Sequence, residues 1–241
     1  MNLTGNKILI TGGASGIGFA LAERFAQEGN TIIICGRRQD ALDEARQKYP
    51  TWITLVADAS TEEGRTELVE WIMKEHPDTN VLVNNAGIQN WMKIDDEDYY
   101  SKAKAELAIN VEAPLHLTQL FLQSKAINTI INVTSGLSFT PLTKTPVYSA
   151  TKAFLHSYTR SLRHLLQEKG IEVIELIPPA LNTDLGGKGI HDFAPPVSGF
   201  IDTTFDQLKA GKPQVTYMFS EAMLKAGLEE REVAFGRLNE K

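Results

Sequence analysis

The chain has 241 residues, 42% of them hydrophobic, which is enough to bury one sizeable core and too many for disorder. Lys and Arg number 24 against 30 Asp and Glu, a formal net charge of −6 with no basic stripe, which excludes a counterion-releasing nucleic-acid binder. A lone cysteine, Cys35, excludes an internal disulfide, and the apolar runs fall far short of the roughly 20 residues of a membrane span. With no Cys/His cluster and no signal-peptide pattern, the expectation is a cytoplasmic protein without a metal centre.

Short β-branched runs alternate with helical stretches. Strands are expected at 7–10, 31–35, 52–56, 81–83, 127–133 and 172–177, and helices at 18–28, 41–49, 62–75, 99–123 and 148–169. Strands as apolar as Thr31-Ile32-Ile33-Ile34-Cys35 show no alternation, so both faces should be covered. Repeated β-α-β then means one domain, a parallel sheet between helical layers. Residues 178–204 read as irregular, with 184–204 a substrate-covering loop; a short helix at 205–210, a weak strand at 212–217 and a C-terminal helix at 220–238 follow.

The first strand runs into Thr11-Gly12-Gly13-Ala14-Ser15-Gly16-Ile17-Gly18 and then a helix. Glycines there permit a tight turn and close backbone approach to a pyrophosphate, which the free N–H groups and dipole of the helix N-terminus would attract. No Lys-Ser/Thr pair ends the motif, so it is not a nucleoside-triphosphate loop. The second strand ends in Cys35-Gly36-Arg37-Arg38 with no carboxylate for a ribose hydroxyl. Two guanidiniums suit a 2′-phosphate, and NADP(H) over NAD(H), with Arg37 as the contact and Arg38 in support; the other reading is a solvated surface pair. Asp58 follows the third strand, in a position that also suits a plain turn aspartate.

Asn84-Asn85-Ala86-Gly87 stands at the mouth of the fourth strand. On the next helix, Pro114 follows Asn110 by four residues and has no N–H for its carbonyl, which could then hold a water. Val133-Thr134-Ser135-Gly136 ends the fifth strand, and Tyr148-Ser149-Ala150-Thr151-Lys152 opens the following helix. Tyr148 and Lys152 share a helix face. A phenol titrates near pH 10, and a cation about 4 Å away at an effective dielectric of 20 is worth about 4 kcal/mol, or about three pK units. Lys152, aided by the positive charge of oxidised nicotinamide, is therefore expected to bring Tyr148 toward neutrality as a general acid/base. Along the same helix Phe154, Tyr158, Leu162 and Leu165 recur at helical spacing, either for a partner helix or for the chain's own sheet.

Together the glycine turn, Asn84–Gly87, Thr134–Gly136 and the Tyr148–Lys152 pair resemble the short-chain dehydrogenase/reductase family, over roughly residues 6 to 183. The resemblance implies a Rossmann-type doubly wound α/β fold of about six to seven strands and a catalytic set of Asn110, Ser135, Tyr148 and Lys152. In it Ser135 and Tyr148 bind the substrate oxygen, Lys152 also holds the nicotinamide ribose, and Asn110 supports a water relay. Thr11, Gly12, Ser15, Gly16, Ile17, Gly18, Asn85, Ala86 and Gly87 line the cofactor, and Asp58 meets its adenine. Pro178-Pro179-Ala180-Leu181-Asn182-Thr183 matches the stretch that clasps the carboxamide, through Pro178, Leu181 and Thr183, although Pro179 replaces the usual glycine. A homodimer is also implied. The C-terminal part resembles a bacterial subgroup that includes oxidoreductases associated with teichoic-acid D-alanylation.

The expected activity is hydride transfer between NADP(H) and a small carbonyl or alcohol. Phe193-Ala194-Pro195-Pro196-Val197, Leu137 and Phe139 suggest an apolar pocket wall. An NAD-dependent alcohol dehydrogenase and an NADP(H)-binding redox sensor with little turnover are the alternatives.

Overall fold

The computed structural model describes residues 1–240. Its strands are β1 (Lys7–Thr11), β2 (Thr31–Gly36), β3 (Ile53–Val56), β4 (Val81–Asn84), β5 (Thr129–Val133), β6 (Glu172–Ile177) and β7 (Gln214–Thr216). They form one sheet in the order β3-β2-β1-β4-β5-β6-β7, with all pairs parallel. This is the Rossmann-type doubly wound arrangement, and the chain reverses its winding direction between β1 and β4.

The helices are α1 (Gly16–Gln27), α2 (Gln39–Lys48), α3 (Glu62–Glu75), α4 (Tyr99–Leu107), α5 (Ala113–Phe121), α6 (Pro146–Leu166), α7 (Val197–Lys209), α8 (Phe219–Lys225) and α9 (Leu228–Leu238). One apolar layer packs Phe25 of α1 and Phe200 and Phe205 of α7 on the sheet, with Phe25 and Phe205 edge to face at 4.8 Å. The other packs Leu68 and Ile72 of α3, Phe121 of α5, and Leu162 and Leu166 of α6. Central strands covered on both sides have no place for polar alternation, which is why β2 reads as an unbroken apolar run. A polar thread crosses the second layer: Asn84 donates to Asn132 (2.8 Å), and Asn132 donates to Thr159 of α6 (2.9 Å). It fixes α6 against the ends of β4 and β5.

Three expectations need correction. Helix α7 begins at Val197, so the loop after β6 ends there and not at 204. Phe200, Ile201, Thr204, Phe205 and Leu208 are all buried at helical spacing, and that continuous face outweighs the low helix propensity of Gly199. The expected tail helix is two helices, because the chain breaks at Ala226-Gly227 and the Glu230 carboxylate caps the Gly227 N–H at 2.7 Å. The long helix at 99–123 is α4 and α5 joined by a π-helical turn, Ala108–Glu112, in which the Ala113 N–H reaches the Ala108 carbonyl.

The stripe on α6 divides between the two readings. Leu162 is buried in the sheet layer, whereas Phe154 and Leu165 are exposed, as are Tyr100 and Leu107 of α4. Among the described residues no helix is long and apolar enough to cross a membrane.

Candidate active site

A cavity of about 930 Å³ opens where the carboxyl ends of β1 and β4 diverge. Thr11, Gly12, Ser15, Gly16 and Ile17 form one wall. Gly12 (φ 64°) and Gly16 (φ 55°) take left-handed backbone that a side chain disfavours. A Cβ at Gly12 would stand 3.0 Å from the Ala86 Cα, and one at Gly18 would collide with Asn85 Nδ2. Gly18 thus serves the packing of α1 and does not line the cavity.

Thr11 is the joint between the two strands. Its Oγ1 accepts from the backbone amides of Asn85 (3.1 Å) and Ala86 (3.0 Å). In return Asn85 Nδ2 donates to the Thr11 carbonyl at 2.9 Å. Asn85, Ala86 and Gly87 are thereby laid along the cavity opposite the glycine turn.

At one end stand Arg37 and Arg38, both exposed, and neither pairs with a carboxylate among the described residues. Asp58 does not line the cavity; its neighbours Ala57 and Ala59 do. Burial opposes its ionisation, but bonds from the Ser60 hydroxyl (2.7 Å) and amide (2.9 Å), with Arg37 farther off, hold its carboxyl below the ordinary value.

At the other end Tyr148 and Lys152 reach the cavity from α6, both at least nine-tenths buried. Lys152 Nζ donates to the Val133 carbonyl at 2.9 Å and lies 5.6 Å from the centroid of the Tyr148 ring. Ser135 is buried beside them at the end of β5, its Oγ accepting from the Leu137 amide at 3.1 Å. The protein without its cofactor holds these groups differently. Burial pushes the Tyr148 phenol above its ordinary value; the Ser135 hydroxyl pulls it down, and Glu106 pushes it up again. Lys152 is not among the groups that shift the phenol, and burial lowers its own ammonium from 10.5 to about 8. In the protein alone the phenol is held firmly protonated.

Asn110 sits in the π-helical turn, 1% exposed. Its Oδ1 accepts from the Ile88 amide (3.0 Å), and its Nδ2 donates to the Ile88 carbonyl (2.9 Å) and to Thr151 Oγ1 (3.1 Å). The side chain therefore ties the segment after Gly87 to α6, and Pro114, four residues on, has no N–H for the Asn110 main-chain carbonyl.

After β6, Pro178 and Thr183 line the cavity, and the Thr183 methyl stands 3.6 Å from where a Gly16 Cβ would be. The Leu181 side chain is buried in the core, and Asn182 lines the cavity beside it. The apolar wall expected from Phe193–Val197, Leu137 and Phe139 does not face the cavity. Phe193 is 82% exposed, and Phe139 packs on His156 and under the Arg231 guanidinium. The cavity is bounded there by polar groups, among them Gln89, Asn90 and Asp184.

The sequence reading missed Gln89 and Glu106. Glu106 is fully buried on α4, its Oε1 accepting from the Asn90 amide (2.6 Å) and side chain (3.1 Å) and its Oε2 without a partner. A signal existed: Glu106 falls on the same helical face as Ala103, which is also buried. The pyrophosphate-sized turn, the unpaired arginines and the buried Tyr-Lys pair together fit a nicotinamide dinucleotide.

Comparison with known proteins agrees with this geometry. Residues 6–192 match the short chain dehydrogenase family. The oxidoreductase DltE of Bacillus subtilis (strain 168) is 40% identical, over 99% of this chain and 98% of that protein. The NAD-dependent glycerol dehydrogenase of Listeria innocua is 30% identical, over 78% of this chain and 75% of its own. A Burkholderia cenocepacia short chain dehydrogenase solved with NADP superposes with a TM-score of 0.86 at 21% identity, covering 100% of both chains.

The depressed ammonium of Lys152 carries a stability cost. Below about pH 8 the folded protein buries a cation, and between about 8 and 10.5 the folded state loses that proton before the unfolded chain does, so stability rises through this window. Lys152→Met is expected to raise the melting temperature of the cofactor-free protein at pH 7 by at least about 3 °C. The gain should shrink above pH 8. Calorimetry at pH 7 and pH 10 checks it, and a destabilised variant at pH 7 contradicts it.

Proposed function

The chain belongs to the short-chain dehydrogenase family and is an NAD(P)-dependent oxidoreductase of CH–OH and C=O groups; from that premise we propose that it is a carbonyl reductase that prefers NADPH. The observation that carries the cofactor preference is the pair of unpaired arginines at the end of β2, where a 2′-hydroxyl reader would place a carboxylate. Arg37 takes the 2′-phosphate and Arg38 supports it. The glycine turn and the α1 N-terminus hold the pyrophosphate, Asn85–Gly87 flank the ribose side, and Pro178, Leu181 and Thr183 border the carboxamide.

Burial keeps the Tyr148 phenol protonated at neutral pH, the state from which a reduction would draw its proton. NADPH, held by these residues, would supply the hydride that reduces the carbonyl carbon. Ser135 donates a hydrogen bond to the substrate oxygen and orients it toward the phenol. Tyr148 gives its proton to that oxygen as the alcohol forms. Lys152 fixes the ribose and, with the Asn110 carbonyl and a water, returns a proton to Tyr148. Its value of about 8 leaves it able to pass a proton near neutrality.

Titration by nicotinamide fluorescence should give NADPH at least about tenfold tighter binding than NADH, and Arg37→Ala should erase most of that gap. Equal affinities in the unaltered protein would sink the cofactor assignment. Tyr148→Phe should lower kcat by at least about a thousandfold with NADPH affinity nearly kept. Wild-type kcat in that variant would remove Tyr148 from the acid/base role.

The exposed Phe154 and Leu165 of α6, with Tyr100 and Leu107 of α4, support a homodimer through these helices. Sedimentation equilibrium should show twice the 26.7 kDa chain mass across a wide concentration range. A monomer throughout would refute the dimer.

A further inference from the structure

The face of the cavity opposite the glycine turn carries a group that the reaction above does not use. Gln89 is 6% exposed, lines the cavity, and its Oε1 has no hydrogen-bond partner among the described residues. It lines the same cavity as Tyr148 and Lys152 and lies two residues beyond Gly87, whose absent Cβ would be 3.6 Å from Lys152 Nζ.

The surrounding structure holds it there. Asn110 bonds both main-chain groups of Ile88 on one side, and buried Glu106 grips both nitrogens of Asn90 on the other. Gly186 (φ 81°), in the loop after β6, closes over it, and a Cβ there would stand 3.2 Å from Gln89 Oε1. A buried amide with an unmade bond is costly, and rigid neighbours on both sides keep it from turning away to find one.

We infer that Gln89 reads the substrate, and that the substrate is a hydroxycarbonyl with a hydroxyl on a carbon next to the reacting carbonyl. An apolar ligand would leave the carboxamide unpaired. A half-turn of the amide exchanges its oxygen and nitrogen; a hydroxyl, which both gives and accepts, satisfies either orientation, whereas an ammonium satisfies only one. The inference rests on the reductase reading and narrows it. The overall step is unchanged: the carbonyl carbon gains a hydride from NADPH, its oxygen gains the Tyr148 proton, and a diol and NADP⁺ leave, with Tyr148 reprotonated from solvent.

The test compares hydroxyacetone and dihydroxyacetone with acetone as substrates of the full chain with NADPH. The hydroxylated ketones should have kcat/KM at least about tenfold above acetone, and Gln89→Leu should collapse that ratio toward one with NADPH affinity retained. If Gln89→Leu fails to bind NADPH, Gln89→Asn, which withdraws the amide by one carbon, should lower the same ratio. A binding readout stands apart from turnover: propylene glycol should raise the melting temperature of the NADP⁺-loaded protein more than isopropanol does. Carbonyl turnover or diol binding with no preference for the hydroxylated partner overturns the inference and leaves the reductase intact. Failure to bind NADPH or NADP⁺ at all overturns the reductase reading itself.

Discussion

One hydroxyl joins the two halves of the molecule. Thr11 Oγ1 takes the amides of Asn85 and Ala86 where β1 and β4 diverge, and without it the Ala86 amide would lose its acceptor and Asn85 would keep only the Val83 carbonyl. Everything near the site is registered to that joint. The glycine turn leaves β1 immediately after it, and the segment through Gly87, Ile88 and Gln89 leaves β4 beside it. Because the turn has almost no side chains, the two backbones approach closely enough for a ligand to touch both.

The site is also a place where the fold accepts loss. A cationic lysine, a tyrosine raised by burial and an unpartnered carboxyl oxygen on Glu106 lie close together in a buried region. The buried ammonium in particular opposes folding, and an apolar residue of similar volume would serve better at position 152. That cost is offset by the apolar layers on both faces of the sheet, and by the Asn84–Asn132–Thr159 thread that ties α6 to the strands. Stability is supplied by one part of the structure and spent as protonation chemistry in another.

How much of this could be read in advance depended on how local each signal is. The glycine turn, the arginines after β2 and the Tyr148–Lys152 spacing are contained in a few consecutive residues, so pattern alone located them. The burial of Gln89 arises from packing between the segment after β4 and the loop after β6, and no short window reports it; for Glu106 only its helical spacing from Ala103 hinted at burial. The same limit explains the electrostatics: helical spacing put Lys152 near Tyr148, but only the packed structure shows its proton engaged by Val133. Helix α7 was hidden because Gly199, the prolines before it and the threonines within it suggest a loop, while the phenylalanines that decide the matter act through α1.

The π-helical turn between α4 and α5 has a further consequence. It adds a residue to what would otherwise be a single α-helix, and each residue turns such a helix by about 100°. A π-helical turn winds less per residue than an α-helix, so the extra residue is taken up as a bulge and α4 and α5 keep their facing. Deleting one residue there would remove the bulge, and the bonds of Asn110 to Ile88 and Thr151 would go with it. In evolutionary terms this stretch is expected to keep a fixed length: residues there can be exchanged singly, but gaps would be rejected.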